Sequence, residues 1–183
     1  MIEICEVGPR DGLQTEKTIL STEDKITLIE KLIDSGLKKI EVTSFVNAKI
    51  VPQMSDAEQL IEHLPLVEDV IYTGLLLSRS GLERALATKL THYNVVLAVS
   101  NTFNLKNVKK SVEQSLHELT ALIQEAKANN KYVNITLGTA FGCPYEGEIA
   151  LDHLLTVAAR FIETGVDEIT FADTTGLANP LKI

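Results

Sequence analysis

Short apolar runs alternate along this 183-residue chain with longer segments whose apolar residues return every three or four positions. The short runs are IEICEV (2–7), KKIEVTSF (38–45), DVIYTGLLL (69–77), HYNVVLAV (92–99), YVNITLGTAF (132–141) and DEITFADT (167–174). They are rich in Val, Ile, Thr, Tyr and Phe and mostly apolar on both faces. That is the composition of strands buried in a parallel sheet.

The longer segments predict helices. Residues 21–35 open with a Ser-x-x-Asp cap, carry Ile26, Ile29 and Ile33 on one face, and run into Gly36 at the C′ position. Residues 107–128 place Val108, Val112, Leu116, Leu119 and Ile123 at helical spacing. Residues 150–164 do the same with Leu151, Leu154, Leu155, Ala158, Phe161 and Ile162, and Gly165 follows. Shorter helices are expected over 55–63 and 80–88.

Six strands with five intervening helices fit two α/β architectures, an open doubly wound sheet or a TIM (β/α)₈ barrel. The first strand–helix turn lacks the G-x-G-x-x-G phosphate fingerprint. Polar residues recur instead at the C-terminal ends of several strands, where barrel enzymes place their chemistry. The barrel is therefore the favoured reading, and a smaller complete sheet is its rival. A whole barrel takes roughly 250 residues. Residues 1–183 are accordingly expected to form the N-terminal portion of one barrel domain, without strands seven and eight. Open sheet edges invite pairing, so a homo-oligomer, a dimer completing the sheet, is expected.

The composition, 45% hydrophobic and 23% charged, suits a globular domain with a real core. A net charge of −8 argues against nucleic acid as a partner. No apolar run approaches a membrane span, and since the N-terminus reads directly into a strand no signal sequence is expected. Two cysteines, Cys5 and Cys143, make no disulfide framework, and a cytoplasmic setting is the simplest. Cys5 reads as a small core residue.

Candidate chemistry gathers at the strand ends. Strand one leads into Arg10, Asp11 and Gln14, with Lys17 further along the loop; strand two carries Glu41, Thr43 and Ser44. Strand four ends in Ser100 and Asn101, and strand six in Asp173 and Thr174. In a barrel these would converge on one mouth. Asp11 and Asp173 are hard oxygen ligands suited to Mg²⁺ or Mn²⁺. Arg10 can place a fixed positive charge where an enolate develops. An isolated Arg-Asp pair is more often a solvated turn. Glu41 differs, because a carboxylate inside an apolar strand needs a cation beside it. His63, His92, His117 and His153 are not paired at ligand spacing and read as surface or packing residues.

The ordered segments EVGPRDGLQTEK, IEVTSFVNAKIVPQMSD, AFGCPYEG and FADTTGLANP closely resemble the 3-hydroxy-3-methylglutaryl-CoA lyases. The resemblance implies a divalent-metal (Mg²⁺ or Mn²⁺) TIM-barrel lyase that cleaves an acyl-CoA thioester to acetyl-CoA and acetoacetate. It makes Asp11 a metal ligand and Arg10 the group that stabilises the thioester enolate. Glu41 would hold Arg10, and Asp173 would lie by the substrate hydroxyl. Gln14, Ser44 and Thr174 would line the pocket, and Lys17 would meet the CoA end. The family's further ligands, a His-x-His pair and an asparagine, and its catalytic cysteine loop would all lie beyond Ile183. Cys143 belongs to the earlier strand-five loop and reads as a structural residue. A related Claisen or aldol synthase, and a non-catalytic assembly module, are the other readings. Little or no lyase activity is expected of these 183 residues alone.

Overall fold

The computed structural model describes residues 2–183. Its six strands are β1 (Cys5–Glu6), β2 (Lys39–Ser44), β3 (Ile71–Leu76), β4 (His92–Ala98), β5 (Tyr132–Gly138) and β6 (Glu168–Phe171). Six α-helices accompany them: α1 (Thr22–Asp34), α2 (Ala57–His63), α3 (Arg79–Leu86), α4 (Asn101–Val108), α5 (Val112–Ala128) and α6 (Leu151–Ile162). The hydrogen-bonded strand order is the chain order, β1-β2-β3-β4-β5-β6. A doubly wound sheet must reverse its strand order at a switch point, and no reversal occurs here. The chain therefore has the α/β fold of the first six strands of a (β/α)₈ barrel. Among the described residues no helix is long and apolar enough to cross a membrane.

The chain divides into two compact units, residues 1–93 and 94–183. In the first, β1 pairs β2 through only Cys5 and Glu6. The expected strand 2–7 is thus cut to two residues, and Cys5 is exposed rather than in the core. The cause is its edge position, with a strand on one side alone. Strand β2 is buried along nearly its whole length, and its parallel register against β3 shifts between Glu41 and Thr43. Helix α1 begins as its sequence requires, with the Ser21 hydroxyl accepting from the Asp24 N–H at 3.1 Å. Gly36 takes φ +98° just past its end.

In the second unit, the single helix expected over 107–128 is two helices. Lys109 adopts the left-handed conformation (φ 61°) and ends α4. Ser111 and Gln114 then form a reciprocal capping box that starts α5. Buried Asn104 ties the joint, donating to Lys110 O at 2.9 Å and Ser115 Oγ at 2.7 Å. One face of the strands here is polar, against the expectation of apolar faces on both sides. Asn134 and Thr136 donate to Asn94 Oδ1 at 3.1 and 2.9 Å, and Thr170 donates to Asn134 Oδ1 at 3.1 Å. Helix α6 also has two faces where one was expected. Leu154, Val157, Ala158 and Phe161 are buried, whereas Leu151, Leu155 and Ile162 are exposed.

Candidate active site

Two clusters carry the residues singled out by sequence, one in each unit. In the first, the chain leaves β1 through a π-helical turn, Gly8–Gly12, not an ordinary turn. The N–H groups of Arg10 and Asp11 both donate to Val7 O, at 3.0 and 2.7 Å, and the Leu13 N–H reaches Gly8 O. Such wide turns are uncommon and recur at functional sites. This one projects Arg10 toward β2, where its Nε donates to Glu41 Oε1. Arg10 Nη1 also donates to Asp11 Oδ1 at 2.7 Å. Glu41 is 2% exposed, so a buried carboxylate has found its cation, while the Asp11 side chain is 61% exposed. The guanidinium is held by two carboxylates, one buried and one facing solvent. That is a preorganised positive charge rather than a mobile surface arginine.

Gln14 and Ser44 stand near this pair in sequence and share an unusual property. Gln14 Oε1 and Ser44 Oγ are buried with no hydrogen-bond partner. An unsatisfied buried polar atom costs about 1–3 kcal/mol, and such groups are rare in folded proteins. Ser44 follows the β2 register shift, and bulges commonly re-aim side chains beside active sites. Lys17 is exposed on the loop before α1.

The second unit contains Asp173 and Thr174, both exposed, and each side chain accepts from backbone N–H groups. Asp173 accepts backbone N–H groups on both carboxylate oxygens, from Leu177 at 2.8 Å and Ala178 at 3.0 Å. Thr174 Oγ1 accepts from the Thr139 N–H at 2.8 Å. Thr139 escaped sequence reading altogether. It is fully buried at the C-terminal end of β5 and has φ 57°, a region that β-branched residues rarely enter. Hydrogen bonds on both sides hold it: its hydroxyl donates to Gly138 O at 2.6 Å and accepts from the Ser100 N–H at 3.2 Å.

Ser100 is the hub of the same cluster. Its hydroxyl caps α4 by accepting from the Phe103 N–H at 3.1 Å, and the Cys143 thiol donates to it at 2.9 Å. Cys143 is buried, in keeping with a structural role. Glu146 adds a second cap, accepting from the Thr102 N–H at 2.6 Å. Hydrogen bonds from Thr102, and lesser ones from Ser100 and Asn101, hold its carboxyl below the usual range. Their sequence signals were the position of Ser100 and Asn101 after β4 and the AFGCPYEG segment that holds Cys143 and Glu146.

A cavity of about 380 Å³ in the first unit is lined by Leu64, Val67, Ile71, Tyr72 and His92. It lies at the N-terminal ends of β3 and β4, the end of a barrel that serves stability rather than chemistry. Among the described residues, no three or more His, Cys, Asp or Glu side chains gather to hold a metal ion. Asp11 offers one carboxylate, already paired with Arg10, and both Asp173 oxygens accept backbone donors. These residues by themselves do not make a complete divalent-cation site.

Comparison with known proteins agrees with this architecture. A hydroxymethylglutaryl-CoA lyase of Bacillus subtilis is 38% identical over 182 residues, spanning 100% of this chain and 61% of its own. The crystal structure of the Bacillus subtilis HMG-CoA lyase superposes with a TM-score of 0.94 at 39% identity, covering 99% of this chain and 61% of that one. An HMG-CoA lyase from Acinetobacter baumannii, in complex with coenzyme A and 3-methylmalate, gives 0.93 at 36% identity, covering 100% and 59%. The chain thus spans about three-fifths of the length of these relatives. The HMGL-like family model matches residues 1–183 throughout, and the chain belongs to that family.

Proposed function

We propose that this chain supplies the Arg10 cluster of a 3-hydroxy-3-methylglutaryl-CoA lyase. In that reaction the tertiary hydroxyl loses its proton and the bond between C2 and C3 breaks. The alkoxide oxygen becomes the ketone of acetoacetate. The bonding electrons move onto the thioester oxygen as an enolate, which takes a proton at carbon to give acetyl-CoA. The demand on the protein is a fixed positive charge at that thioester oxygen, in place before the bond breaks.

The observation that carries this reading is the Arg10 guanidinium clamped between buried Glu41 and exposed Asp11. Glu41 acts as a positioning residue that keeps the guanidinium from swinging into solvent. Gln14 and Ser44 offer their unpartnered polar atoms to the substrate, which would relieve the cost of leaving them unsatisfied. The resemblance would have Thr174 line the pocket, Asp173 lie by the substrate hydroxyl and Lys17 meet the CoA end. Asp11 contributes one carboxylate toward Mg²⁺ or Mn²⁺. The resemblance implies that the other ligands lie outside these 183 residues. An acyl-CoA substrate is supported by the coenzyme A seen in the related structure.

The test is acetoacetate release from hydroxymethylglutaryl-CoA by a full-length version of the protein with divalent metal. Arg10→Met is expected to lower kcat by at least about 10³-fold, roughly 4 kcal/mol of lost transition-state stabilisation. The 183-residue chain alone is expected to release little or none. A full-length enzyme that makes no acetoacetate, or that ignores Arg10→Met, overturns the reading.

A further inference from the structure

The buried lysine of the first unit has no part in the chemistry above. Lys25, near the start of α1, is 2% exposed. An ammonium persists in such a place only when it is paired and its protons are accepted. Lys25 Nζ donates to Asp56 Oδ1 at 2.5 Å and to Gln53 O at 2.6 Å, and Thr22 Oγ1 donates to Asp56 Oδ2 at 2.8 Å. These bonds pin the start of α1 to a single 3-10 turn, Pro52–Met54, in the loop between β2 and α2.

From that turn two side chains reach outward. Gln53 Nε2 donates to Glu16 O at 2.6 Å, across 37 residues of sequence. A peptide unit is planar, so this bond fixes the orientation of the whole unit that joins Glu16 to Lys17. Met54 is 1% exposed, and its sulfur accepts from Thr43 Oγ1 at 3.8 Å, one residue before Ser44. One short turn therefore touches the neighbours of both Lys17 and Ser44. Joining α1 to α2 would need only Lys25 and Asp56. The Gln53 amide goes further than that task requires.

We propose that Gln53, anchored through its own carbonyl by Lys25, is a positioning residue for the thioester substrate. It sets the spacing between the loop of Gln14 and Lys17 and the end of β2 at Ser44. This role rests on the reading of those three residues as substrate contacts. The loop's other bonds are local: Thr15 N and Oγ1 donate to Gly12 O at 3.3 and 2.9 Å, and Glu16 N to Leu13 O at 3.2 Å. Bonds of that kind shape the loop without deciding where it stands relative to β2. The Gln53 bond does decide it, and a loop ordered beforehand costs less to order on binding. A contact remote from the breaking bond serves ground and transition states alike, so its loss raises KM and spares kcat.

The experiment compares Gln53→Ala and Gln53→Glu with wild type in the full-length enzyme, using hydroxymethylglutaryl-CoA and divalent metal. Glutamate keeps the shape of glutamine, but its carboxylate cannot donate. Both variants are expected to raise KM about three- to tenfold, the effect of one lost hydrogen bond, with kcat within about twofold. Melting temperatures should hold, which a merely structural role for Gln53 would not allow. Hydrogen exchange should quicken by about tenfold over residues 14–18 and stay unchanged in β3. An unchanged KM in either variant, or a loss confined to kcat, would overturn the proposal. A wild-type enzyme that releases no acetoacetate would instead end the lyase reading. Exchange would then decide the positioning role, and unaltered rates over 14–18 in Gln53→Ala would refute it.

Discussion

The two units solve the problem of polar groups at strand ends in different ways. Residues 1–93 bury charge: Arg10 against Glu41, and Lys25 against Asp56 at 2.5 Å and Gln53 O at 2.6 Å. Residues 94–183 rely on neutral groups instead: buried Ser100, Thr139 and Cys143, with exposed Thr174 bonded to them, and the half-buried ladder from Asn94 to Thr170. A buried ion pair breaks at high cost when one partner is removed, because the other charge is left without compensation. A neutral network loses a hydrogen bond at a time, at roughly 1–3 kcal/mol for each group left unsatisfied. Polar atoms of Gln14 and Ser44, both in the charged unit, are also unmet. The first unit thus stores its capacity as a fixed charge and open valences, and the second as held geometry.

The largest effect that would sharpen this contrast belongs to Arg10. Arg10→Met takes the guanidinium away from the buried Glu41 carboxylate and is expected to destabilise the first unit by about 3–5 kcal/mol. Urea denaturation would measure it, and hydrogen exchange should quicken in β1 and β2 while β5 and β6 keep their protection. Equal loss in both sets of strands would break the contrast.

Next comes alkali. Burial pushes the Tyr93 phenol up to about 12. A phenol held neutral in the fold stabilises it fully below the unfolded value near 10, and that stability drains away as pH rises toward 12. The loss should approach about 2–3 kcal/mol. Urea midpoints at pH 9 and pH 12 would show it, and Tyr93→Phe should flatten the dependence.

Thr139 tests the neutral unit. Thr139→Val keeps the left-handed backbone strain and strands the Ser100 N–H, so a loss of about 1–3 kcal/mol is expected. Thr139→Gly also loses the hydroxyl but relieves roughly 1–2 kcal/mol of backbone strain. Glycine should therefore be the milder substitution in thermal melts, and a milder valine would refute the strain. Smallest is Ser44→Ala. Removing a buried hydroxyl without a partner should leave stability unchanged or raise it by up to about 1 kcal/mol. The same change should raise KM for the thioester in a full-length enzyme. A marked fall in melting temperature would show that Ser44 is structural instead.

Where local chemistry decides, the sequence was legible. The Ser21 cap, Gly36 beyond α1 and the alternation of strand and helix each depend on neighbours a few residues away. Glu41 could be singled out because a carboxylate in an apolar strand needs a cation, and Arg10 supplies it. The break between α4 and α5 had a signal, Ser111 with Gln114 three residues on, but Val108 and Val112 kept the apolar period running across it. Periodicity also merged the two faces of α6, since residues such as Leu154 and Leu155 are adjacent in a helical stripe broad enough to hold both. Cys5 was misplaced because a strand's composition does not reveal whether it lies at an edge.

By itself, then, the sequence determined the order of elements, the family, and which charged residues had to be explained. Hydrophobic period, caps and an out-of-place carboxylate are short-range facts, written in the residues that make them. Only the tertiary structure decided the π-helical turn that aims Arg10, the register shift beside Glu41 and the strained backbone of Thr139. The left-handed backbone of Thr139 alone is a local cost of about 1–3 kcal/mol. All three persist because distant strands and hydroxyls hold them, and such partners are found only once the chain has folded.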